Sequence, residues 1–112
     1  MTNIGVRVIM ELSKECFIPD SKVKLYLLKE GTKHYKEFSD VGYTSSDGEK
    51  LKSDIAAGFD YGKAVEKTMN GGIESFLVYM ELGVDKKKRF RTVWFKDTPI
   101  SIPRFITAYR KD

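Results

Sequence analysis

Ile4, Val6, Val8, Met10 and Leu12 alternate with Gly5, Arg7, Ile9 and Glu11. This period of two predicts a strand with one buried face over 4–12. Pro19-Asp20-Ser21 reads as a turn. Val23, Leu25 and Leu27 resume the alternation, which predicts a second strand over 23–30. Gly31 marks another turn, and 33–38 is a short mixed segment expected as a third strand.

The pattern changes at Ser46. Leu51, Ile55, Gly58, Phe59, Gly62, Val65 and Met69 step by three and four, the stripe of a helix over about 47–69. Ser46 and Glu49 have capping-box spacing at its start. Asn70-Gly71-Gly72 reads as its left-handed stop. Gly58 and Gly62 cost roughly 1 kcal/mol each against alanine, so a close approach of the helix to a sheet is expected to offset them.

Alternation then returns. Phe76, Val78, Met80 and Leu82 point inward in a strand over 73–82, and 89–96 returns as its partner, giving a β-hairpin with a basic tip. Pro99 and Pro103 place 98–104 at an edge or crossover. A last strand spans 104–109, with Phe105, Thr107 and Tyr109 on one face. Val8–Leu12 faintly resembles Val78–Leu82, which suggests two similar hairpins around the helix. The expectation is one α+β domain over 1–112: a mainly antiparallel sheet of five to six strands with one long helix on a face.

The 112 residues include 41% apolar side chains, enough for a packed core. No run reaches the roughly 20 apolar residues of a membrane span. One cysteine excludes an internal disulfide and fits a reducing cytosol, so the chain is expected in the cytoplasm. Charge alters the picture more. Residues 1–83 carry 11 basic and 13 acidic side chains, and residues 84–112 carry 9 and 3. The last quarter therefore supplies the whole net positive charge, the footprint of an anionic partner.

Catalytic chemistry is thin. Cys16 sits beside Phe17 and Ile18 and reads as a small apolar thiol rather than a nucleophile. His34 and Glu37 are the pair a small ribonuclease would need, but on a strand they point to opposite faces. The segment 42–48 opens a helix without the Gly-Lys-Ser/Thr ending of a phosphate loop, and its acids repel phosphate. No metal site or cofactor is expected. What remains is a non-enzymatic binding domain whose hairpin contacts an anion, with nucleic acid as the leading partner. Lys86, Lys87, Lys88, Arg89, Arg91 and Lys96 are its candidate contacts. Trp94 is expected in the core rather than as a stacking platform. The alternative is a protein-binding accessory or inhibitor module acting by strand addition at 98–104.

Overall fold

A computed structural model describes residues 12–111; the strand expected over 4–12 lies outside them apart from its last residue. The fold is α+β. Among the described residues, three short helices precede the sheet: α1 (Asp20–Lys22), which runs into a π-helical turn over Val23–Leu27, α2 (Lys33–Ser39) and α3 (Gly48–Gly58). Four strands follow: β1 (Val65–Asn70), β2 (Ile73–Leu82), β3 (Lys88–Lys96) and β4 (Arg104–Arg110). They form one antiparallel sheet in the order β1-β2-β3-β4.

The sheet of five to six strands with one long helix is not what forms. Val23, Leu27 and Leu28 are buried while Leu25 is 73% exposed. The useful spacing is therefore four rather than two, and 20–27 is helical. Thr32 caps α2, its hydroxyl accepting from the Tyr35 amide at 3.1 Å. The segment expected as a third strand is thereby a helix.

The long helix ends at Gly58 instead of continuing to Met69. Phe59 turns extended and buries its ring against Phe76 and Trp94. The Asp60 carboxylate then accepts from the Gly62 amide and starts a 3₁₀ turn over Tyr61–Lys63. Gly71 and Gly72, at φ 61° and 84°, are the two-residue turn between β1 and β2 rather than a helix stop. The capping box does not form either: Asp47 is the N-cap residue, and its carboxylate accepts from the amide and hydroxyl of Thr44.

The core lies between the helices and one face of the sheet. Phe76, Val78, Met80 and Leu82 of β2 meet Phe90 and Trp94 of β3 there, as the alternation predicts. Ile18, Leu27, Phe38, Leu51, Ile55 and Phe59 close over them. Trp94 is fully buried; its indole donates to the Thr92 hydroxyl at 2.7 Å, which donates to the Val78 carbonyl at 2.6 Å. That chain gives the Trp94 indole N–H and the Thr92 hydroxyl their partners within the apolar layer.

Candidate functional site

In β2 and β3 the residues between the core positions point the other way. Ser75, Leu77 and Tyr79 of β2 pair with Phe95, Val93 and Arg91 of β3, and none of the six is fully buried. Among the described residues, the buried core contains no member of this outward face. A register shift between Val93 and Trp94 accommodates Ile106 as an extra residue in β4. Phe105 consequently turns inward with Ala108, whereas Thr107 and Tyr109 pair with Val93 and Arg91 on the outward face. The expectation of one face for Phe105, Thr107 and Tyr109 fails at this bulge.

Four side chains form a row across three strands. The Arg89 guanidinium lies 4.4 Å from the Tyr79 ring centroid. Arg91 lies 5.6 Å from the same ring and 5.3 Å from that of Tyr109. Its Nη1 also donates to the Tyr109 hydroxyl at 3.1 Å, and its buried Nε has no hydrogen-bond partner. Each guanidinium offers five N–H donors, so most of this donor capacity is uncommitted. Arg104 repeats the cation–ring motif over Phe95 at 5.2 Å, but Asp97 holds it through two bonds of 2.9 and 3.1 Å. The Asp97 carboxyl is correspondingly held below its ordinary pKa by that guanidinium.

The six residues expected to bind divide into three groups. Lys86, Lys87, Lys88 and Arg89 are all exposed at the β2–β3 tip. Arg91 stands on the outward face, next to the tip. Lys96 is at the opposite end of β3, and its pairing with Glu74 puts it on the helix side of the sheet. There its ammonium lies 4.6 Å from the Tyr61 ring, which Lys67 also approaches at 4.3 Å. The tip is anchored: the Val84 and Asp85 amides donate to the Val41 carbonyl at 2.8 and 3.2 Å. The Gly83 amide donates to the Tyr43 hydroxyl at 3.2 Å, and that hydroxyl donates to Asp54 at 2.7 Å.

Ion pairs lie away from the β2–β3 tip: Arg104 pairs with Asp97, and Arg110 of β4 with Asp40. In the helical layer Lys24 pairs with Glu49, Lys50 with Asp54 and Lys52 with Asp20. Among the described residues, none of Lys86, Lys87, Lys88, Arg89, Arg91 and Lys96 makes an ion pair. Within the last quarter Arg104 and Arg110 are ion-paired, while the positive charge of the tip and of Arg91 is left without a carboxylate among the described residues.

Sequence reasoning passed over Tyr79 and Tyr109. The available signal was parity: Tyr79 alternates with the core positions Val78 and Met80, so antiparallel pairing puts it beside the arginines. His34 and Glu37 lie three apart on a helix rather than on a strand, which removes the opposite-face argument. The His34 ring packs 4.6 Å from Tyr26, and its buried Nδ1 is without a partner among the described residues.

The edge at 98–104 is also altered. Phe17 pairs there, its amide donating to the Pro103 carbonyl and its carbonyl accepting from the Phe105 amide, both at 2.8 Å. A groove of about 340 Å³ opens beside that loop, between Leu12, Tyr61, Lys96, Ile100 and Ile102. No described helix is long and apolar enough to cross a membrane.

A family model described as "Domain of unknown function (DUF6883)" matches residues 10–112, and the chain belongs to that family. No curated protein and no solved structure is significantly similar to it.

Proposed function

We propose that this protein is a non-enzymatic domain that binds nucleic acid through the outward face of its sheet and the adjoining β2–β3 tip. The observation that carries the reading is the row Arg89–Tyr79–Arg91–Tyr109, running into Lys86, Lys87 and Lys88 with no carboxylate among the described residues paired to any of these cations. Cations without carboxylate partners are the groups that exchange counterions for phosphates. Planar rings between them offer surfaces on which bases stack. Lys96 stands apart from this row and is not part of the proposed interface. Fluorescence anisotropy with labelled oligonucleotides at about 50 mM salt tests the reading, since electrostatic contacts are strongest there.

A protein partner is the second reading, favoured by the groove beside Ile100, which is 95% exposed. Strand addition at 98–104 is a poor route to it. Pro99 and Pro103 lack amide donors, the Ser101 amide is bonded to Thr98, and Phe17 occupies the neighbouring backbone groups. A protein partner would therefore seat apolar side chains in the groove.

A further inference from the structure

Resting on the nucleic-acid reading, the geometry points to single-stranded nucleic acid, with bases stacked on the Tyr79–Tyr109 face, as the ligand class; we infer that duplex is disfavoured. A duplex major groove is about 12 Å wide and admits a helix or a two-stranded ribbon. The basic hairpin would have to project as such a ribbon. It does not: β4 flanks β3 as far as Phe90, close to the tip, and β1 flanks β2 over 73–77. Its tip is also fastened to Val41 and Tyr43. Four strands at about 4.8 Å spacing present a surface too broad to enter a groove.

The same surface suits a single strand lying across it. Tyr79 and Tyr109 flank Arg91 on the two neighbouring strands, in register with it. Two planar groups and a guanidinium, one Nη of which donates to Tyr109, are therefore presented side by side. Unpaired bases can stack on tyrosine rings or guanidinium planes, while the guanidinium edge donates to the intervening phosphate. The bases of a duplex are already stacked inside it, so a duplex would engage the cations and leave the rings unused.

The test compares three labelled probes of equal length at one salt concentration: a mixed-sequence single strand, its duplex, and an abasic strand that keeps phosphates without bases. The intact protein is expected to bind the single strand about tenfold or more tightly than either of the others. Tyr79→Leu with Tyr109→Leu, checked for folding by circular dichroism, is expected to erase that preference. It should leave the salt slope unchanged, because the cations remain. Equal affinity for all three probes would overturn this inference while leaving the nucleic-acid reading standing. A preference that survives in the double variant would likewise overturn it, since the rings would then not carry it. Binding of none of the probes would overturn the nucleic-acid reading and this inference together.

Discussion

Gly58 and Met80 meet so closely that a β-carbon on Gly58 would lie 2.9 Å from Met80 Sδ and 3.1 Å from Met80 Cβ. This contact brings the last turn of α3 down onto β2, directly beside the core. Gly58→Leu is expected to destabilise the protein by about 1–3 kcal/mol, because the new side chain must displace Met80 or lift the helix. Urea unfolding measures this; an unchanged or raised midpoint would mean that α3 does not approach β2 as described.

Tyr43 connects three segments. It is buried, with its hydroxyl between the Asp54 carboxylate and the Gly83 amide. Burial and the hydrogen bond to Asp54 raise the pKa of this phenol well above its ordinary value, so it stays a donor at any working pH. Tyr43→Phe leaves the buried Gly83 amide without an acceptor and is expected to cost about 1–3 kcal/mol. Hydrogen exchange at Gly83 should accelerate with it, and unchanged exchange there would show that the tip is fastened by other means.

Cys16 is partly buried, and desolvation pushes its thiol up to about 11. A raised thiol pKa means that the unreactive protonated form persists to higher pH. At pH 8, alkylation by iodoacetamide is expected to be at least about tenfold slower than for free cysteine, whose pKa is about 8.5. The rate should approach that of free cysteine on unfolding in urea. Equal rates for the native protein and free cysteine would contradict the described environment.

How far the sequence is readable depends on the element. The β2–β3 hairpin was legible, because one face of each strand is buried against a core and leaves a period of two; β4 was legible as a strand, but the bulge at Ile106 breaks its period and the expected common face of Phe105, Thr107 and Tyr109. The stripe over 51–59 was legible for the matching helical reason, including the close approach at Gly58. Beyond Phe59 the same spacing continues into Gly62, Val65 and Met69 by coincidence. Every residue of β1 is exposed, so no burial pattern marked it as a strand. Only the Gly71-Gly72 pair signalled a hairpin, and it is equally suited to a helix stop. Val23, Leu25 and Leu27 misled because two of the three are core positions at helical spacing. Within the candidate site the cations were legible from charge alone. The tyrosines between them were not, since which residues face each other across strands is decided by register.

Salt dependence decides whether these cations meet phosphates. If Lys86, Lys87, Lys88, Arg89 and Arg91 all meet phosphates, log affinity for a single strand should fall against log salt with a slope of about −3.5. Changing Lys86, Lys87, Lys88 and Arg89 together to Gln should flatten that slope by about 2.8 on any sequence. Stability should stay nearly unaltered, because these residues are exposed and make no ion pair among the described residues. The flattening is expected between roughly 50 and 200 mM salt. A wild-type protein that binds no single-stranded DNA or RNA at the low end of the range, or a variant whose slope is unchanged, would contradict it.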